Sequence, residues 1–150
     1  MTQLPWAVPE SWAWTSIGQV AEVVGGGTPR TDEPANFENG DVLWITPADL
    51  SGYVEKLIAR GARNITRRGL ENSGARLMPE GAVLFSSRAP IGYVAIASKP
   101  VSTNQGFKSF VFRSGITSDY AYYYLKRARQ LAINLSSGTT FQEISGAKAA

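Results

Sequence analysis

The chain has 150 residues, enough to bury a core without staples, and it contains neither cysteine nor histidine. These absences exclude disulfides, thiolate metal sites and a Ser-His-Asp triad, remove nearly all transition-metal sites, and suit a reducing, cytoplasmic setting. The net charge of +3 is unevenly divided: residues 1–55 hold Arg30 against eight carboxylates, a net −7, while residues 56–150 hold fourteen basic residues against four acidic ones, a net +10. Such a split suggests one surface that attracts a polyanion, although charge alone fits an unevenly solvated face equally well.

In chain order, the N-terminus lacks the pattern of a signal peptide, and no apolar run approaches the roughly 20 residues of a membrane helix. Trp6, Trp12 and Trp14 lie in a Pro-punctuated arm, where aromatics are expected to anchor against the body of the domain. Thr15–Gln19 reads as one helical turn and Val20–Val24 as a strand that ends at Gly25-Gly26-Gly27-Thr28-Pro29. Triple glycine followed by Arg30 is either a tight turn or a place where backbone approaches phosphate; no nucleotide-binding glycine pattern is present. Residues 31–41 read as a polar surface loop and Val42–Ile45 as a strand containing a core Trp44. Thr46-Pro47 with Asp49 forms a helix start, so Thr46 is expected to cap rather than read a base. Residues 56–76 are the most basic window, with Lys56, Arg60, Arg63, Arg67, Arg68 and Arg76 against Glu71. Asn64-Ile65-Thr66 is expected to open a short helix there, closed by Ser73-Gly74. Arginines so clustered either neutralise phosphates or only solubilise.

The centre of the chain is residues 83–112. Val83–Phe85, Tyr93–Ala97 and Gly106–Phe112 are β-branched and aromatic runs separated by Pro90, Gly92, Pro100 and Gly106. Between them sit Ser86, Ser87, Arg88, Thr103, Asn104, Gln105 and Lys108, donors and acceptors held at strand ends. Arg suits two-point contact with guanine or phosphate, and Asn or Gln does the same for adenine. From Ser118, read as the cap, apolar residues recur at helical spacing through Ala121, Leu125, Ala128 and Leu131 to Leu135, and this stripe is expected to cover the sheet. Phe141, in a hydroxyl-rich loop, is expected to plug the core. The fold class expected is α+β: a twisted mixed sheet of short strands, one longer helix packed on it, and single-turn helices in the loops.

Phe-Ser-Ser-Arg-Ala-Pro-Ile-Gly at 85–92 with Thr-Asn-Gln-Gly-Phe at 103–107 resembles the target recognition domain of the specificity subunit of type I restriction-modification enzymes. Leu4-Pro5, Trp12, Gly26-Gly27-Thr28-Pro29, residues 44–50, residues 62–66 and Ser137-Gly138-Thr139-Thr140-Phe141 agree in the family's order, so the likeness spans nearly the whole chain. It implies one recognition domain over residues 1–150 that reads half of a split target in double-stranded DNA and carries no chemistry or cofactor. Methyltransferase subunits that bind S-adenosylmethionine, and motor and nuclease subunits, would be its partners. The family's Pro-rich connection and spacer helix are not in the sequence, which implies a half-subunit or a trimmed chain.

The residues expected at DNA are Thr28 and Arg30 after the glycines, Arg63, Arg67 and Arg68 on phosphates, and Arg88, Asn104, Gln105 and Lys108 from the central stretch. Shared motifs in such a family should hold the scaffold, so Ser86, Asn104 and Gln105 are equally candidates for tying loops to backbone, with residues 31–41 and 57–75 holding the readers. Two rival readings are a protein-interaction module docking through the helix at 118–135, and a magnesium-dependent hydrolase using Asp41 and Asp49. No ligand pattern supports the second.

Overall fold

Alternating strand residues that are apolar on both sides require cover on both faces, and the fold supplies it in layers. The structure is a computed structural model describing residues 6–113 and 115–136; Leu4-Pro5 and the segment from Ser137, with Phe141, lie outside the described residues. Five strands form one sheet: β1 (Ala21–Gly25), β3 (Leu57–Ile58), β5 (Val83–Ser87), β6 (Ile91–Ala97) and β8 (Lys108–Phe112), in the order β1-β8-β5-β6-β3. All neighbours are antiparallel except β3 on β6. A second sheet of three strands, β4-β2-β7, is built from β2 (Val42–Ile45), β4 (Arg63–Ile65) and β7 (Ser102–Thr103). There β2 is antiparallel to β4 and parallel to β7.

Strand period two distributes the core. Val83, Phe85, Ile96 and Phe110 face a helical layer, α4 (Ser118–Arg127) and α5 (Arg129–Asn134), which contributes Ala121, Tyr122, Leu125 and Ala132. Leu84, Ala95 and Ala97 face the other way and pack with Ile45, Ile58, Met78 and Phe107 between the two sheets. On the far side of the second sheet, Val42, Trp44 and Ile65 pack with Ala75, Phe37 and Leu70. An α+β fold with mixed sheets is therefore correct, with the strands divided between two sheets.

Several local expectations hold. Ser16 and Gln19 close a capping box on α1 (Ile17–Val20), and Thr46 and Asp49 do so on α2 (Pro47–Leu50). Others are corrected. The cap of α4 is Thr117, whose hydroxyl accepts from Tyr120 N at 3.2 Å, while Ser118 Oγ donates to Gly81 O at 2.6 Å and ties the helix to the turn before β5. The expected single helix breaks at Ala128, and Arg129 Nε donates to Ile91 O at 3.0 Å just beyond the break. Asn64 and Ile65 belong to β4, so the helix α3 (Arg67–Glu71) begins only after its cap, Thr66. The tryptophan arm does not lie flat on the body: Trp6 and Trp12 are 63% and 58% exposed. Trp6 packs edge-on against Trp14 at 4.9 Å, and only half-buried Trp14 reaches the apolar groove beside Phe112 and Leu125. No helix among the described residues is long and apolar enough to cross a membrane.

Candidate nucleic-acid interface

The glycine loop leaves β1 and crosses the end of β7 at very close range. Gly27 N donates to Thr103 O at 3.0 Å, and Trp44 Nε1 donates to Gly27 O at 3.0 Å. A Cβ on Gly26 would lie 1.9 Å from Asn104 O, and one on Gly27 would lie 2.4 Å from Ala75 N. The backbone that these glycines let approach is therefore the protein's own. Beyond it, Thr28 Oγ1 donates to Gln105 Oε1, joining two expected contact residues 77 positions apart. Asn104 Oδ1 accepts from Gly106 N at 2.8 Å, a local turn that fixes the same corner. Ser86 is wholly buried: its Oγ donates to Pro90 O at 2.7 Å and accepts from Tyr93 N at 2.8 Å, which is the scaffold reading.

Residues 31–41 are not simply a polar surface loop. A 3-10 turn at Pro34–Asn36 places Asn36 inside, at 2% exposure. Its Nδ2 donates to Arg30 O at 3.0 Å, and its carbonyl accepts from Thr66 N at 2.8 Å. Thr66 Oγ1 also donates to Ala35 O at 2.7 Å while accepting from Gly69 N at 3.0 Å. One buried asparagine, through its side-chain amide on one side and its main-chain carbonyl on the other, thus couples the Arg30 loop to the start of α3, where Arg67 and Arg68 are exposed and in no ion pair with the described residues. Arg63, on neighbouring β4, stacks its guanidinium over the Phe37 ring at 3.6 Å.

Six of the nine expected residues, Thr28, Arg30, Arg63, Arg67, Arg68 and Gln105, are thereby linked through one interlocked set of loops, with Asn104 shaping its corner. Lys108 stands opposite Gly25 in the β1–β8 register, and Arg88 follows β5, whose Ser87 N donates to Gly106 O at 2.8 Å. Both belong to the same end of the five-stranded sheet, and both are half-buried and engaged with neighbouring groups. Sequence reasoning missed Asn36, Phe37 and Thr66 as the parts that hold this surface together. The only signal for the first two was Pro34 ahead of an alanine, one polar residue and an aromatic.

The charges at this surface are not all available. Arg30 pairs with Asp32 at 2.7 Å and approaches Glu33 at 3.6 Å. The Arg30 hydrogen bond holds the Asp32 carboxyl below its ordinary range, and Asp32 in turn raises Arg30, so the pair stays ionised through neutral pH. Arg76 is held by Glu22 at 2.6 Å, and Lys56 by Asp119 at 3.1 Å, which raises its pKa. Of the rival hydrolase pair, Asp49 is occupied locally: Oδ2 accepts from Thr46 N at 2.8 Å and Oδ1 from Ala62 N at 2.9 Å. Asp41 is exposed at the opposite end of β2 from that cap.

Comparison with known proteins agrees with this architecture. A specificity subunit of the type I restriction enzyme MjaIX from Methanocaldococcus jannaschii is 42% identical over 141 residues, covering 93% of this chain and 32% of that protein. The EcoR124I/EcoR124II specificity subunit from Escherichia coli is 26% identical over 73% of this chain and 28% of its own length. The chain therefore spans about a third of the length of the curated relatives it matches. Among solved structures, a chain from a study of type I R-M complex assembly and conformational transition superposes with a TM-score of 0.71 at 21% identity, over 97% of this chain and 34% of that one. The HsdS subunit from Thermoanaerobacter tengcongensis gives 0.67 at 19% identity, over 95% of this chain and 35% of that one. With residues 9–148 matching the model of the type I restriction modification DNA specificity domain, the chain belongs to that family.

Proposed function

We propose that this chain reads one half of a split target in double-stranded DNA and performs no reaction itself, leaving methylation, translocation and cleavage to separate subunits. The observation that supports the reading is the Asn36 interlock, which ties the Arg30 loop to the start of α3, where Arg67 and Arg68 are exposed, although these residues are up to 38 positions apart. Cations such as those on α3 give affinity, and the groups beside them give readout. The exposed Tyr120, Tyr123, Tyr124, Leu131 and Leu135 on the helical layer favour a second, compatible role for that face in docking partner subunits.

The test is a salt titration of binding to duplex DNA of random sequence. Phosphate contacts by Arg63, Arg67 and Arg68 give a log–log slope of about −2.7, at roughly 0.9 per contact. Replacing Arg67 and Arg68 together with Ala should weaken all duplexes alike and flatten the slope by about 1.8. No binding at low salt, alone or with a methyltransferase partner, sinks the proposal.

A further inference from the structure

The guanidinium of Arg30 is engaged along one edge by its neighbour Asp32. Nε donates to Asp32 Oδ1 at 3.1 Å and Nη2 to Asp32 Oδ2 at 2.7 Å, a side-on pair that uses one flank of the fork. The terminal edge, Nη1 with the outer hydrogen of Nη2, makes no hydrogen bond among the described residues; Glu33 Oε1, 3.6 Å from Nη1, pairs with it by charge alone, and a base acceptor would have to displace that carboxylate. That edge has the spacing to meet the O6 and N7 acceptors of guanine in the major groove. The backbone below it is fixed, with Pro29 fully buried and the Arg30 carbonyl held by Asn36. With the side chain 71% exposed, the ion pair contributes little to folding, so its consequence is to restrict the rotamers of a long side chain.

We propose that Asp32 is a positioning residue that presents Arg30 edge-on to a guanine, making Arg30 a base reader rather than a phosphate contact. This rests on the DNA-reading function proposed above. Two roles for Asp32 follow, and they act in opposite directions. Its negative charge opposes the duplex whatever the sequence, while its hold on Arg30 favours one base. If Arg30 instead served as a phosphate anchor, removing Asp32 would release a cation and strengthen every duplex equally.

The experiment separates these outcomes. The chain, Asp32→Asn and Arg30→Lys are each equilibrated with a pool of randomised duplexes at low salt, and bound and free fractions are sequenced, with thermal unfolding as a folding control. The unaltered chain should enrich guanine at one position. Asp32→Asn, which keeps the shape but loses the charge, should cut that preference roughly tenfold while affinity for the unselected pool rises. Arg30→Lys should also lose the preference, because an ammonium cannot make the two-point contact. Full retention of the guanine preference in Asp32→Asn overturns the proposal, as does a chain that binds but enriches no guanine. A chain that binds no duplex overturns the DNA reading itself.

Discussion

Asn36 is the residue on which the interface turns. An exposed asparagine in a loop costs nothing to remove, but this one is buried and joins two segments that share no regular element. Its side chain satisfies Arg30 O, its main-chain carbonyl satisfies Thr66 N, and Gly69 packs so tightly against it that a Cβ there would lie 2.6 Å from Asn36 O. Asn36→Ala leaves the Arg30 carbonyl without its donor and opens space beneath the loop. A buried acceptor stripped of its partner costs about 1–3 kcal/mol. We expect a loss of that size in urea denaturation, with DNA affinity falling as well because the Arg30 loop loses its anchor to the residue that also holds Thr66. A variant as stable as the parent would show that the two segments hold their places independently.

At the level of elements, the glycine loop shows how a correct signal can mislead about its object. The glycine run does mark a close backbone approach, but the partners are the β7–β8 turn at Gly26 and residues 74–75 at Gly27, which no local pattern announces. Gly26→Ala must push the loop off Asn104 O, and overpacking of this kind costs about 1–3 kcal/mol. Gly25→Ala is the control, since a Cβ there meets nothing within 4 Å and surface changes stay within about 0.5 kcal/mol. Paired urea titrations check the difference; equal midpoints would refute the packing account. The long runs at residues 83–87, 91–97 and 108–112 were legible because their apolar period and Pro and Gly punctuation are strong. Strands β3, β4 and β7 have two or three residues each, too short to carry a period, and exist only because a neighbour offers hydrogen bonds. Thr46 and Asp49 were readable because a capping box is local, whereas the Thr28–Gln105 bond, between residues 77 apart, is not.

For the molecule as a whole, the division of charge along the sequence does not become a division in space. Glu22 of the acidic part meets Arg76, and Asp119 meets Lys56, so the basic window is partly neutralised, while Arg67 and Arg68 on α3 form no ion pair among the described residues. What unites the layers is β5, buried on both faces, whose Phe85 points to the helices and whose Leu84 points to the second sheet. The loops proposed to face DNA rest on the far layer, beyond Trp44, and whether their order depends on this shared strand can be tested. Phe85→Ala removes a ring set 6.1 Å from Phe110 and should cost about 3–5 kcal/mol, a large part of the roughly 5–15 kcal/mol typical of a domain. If the layers fold as one unit, amide hydrogen exchange in β2 and α3 should accelerate by the same factor as in β5 and β8, although neither β2 nor α3 contributes to the Phe85 cluster. Unchanged protection in β2 and α3 would mean that the surface carrying Arg30, Arg67 and Arg68 is held by the second sheet alone.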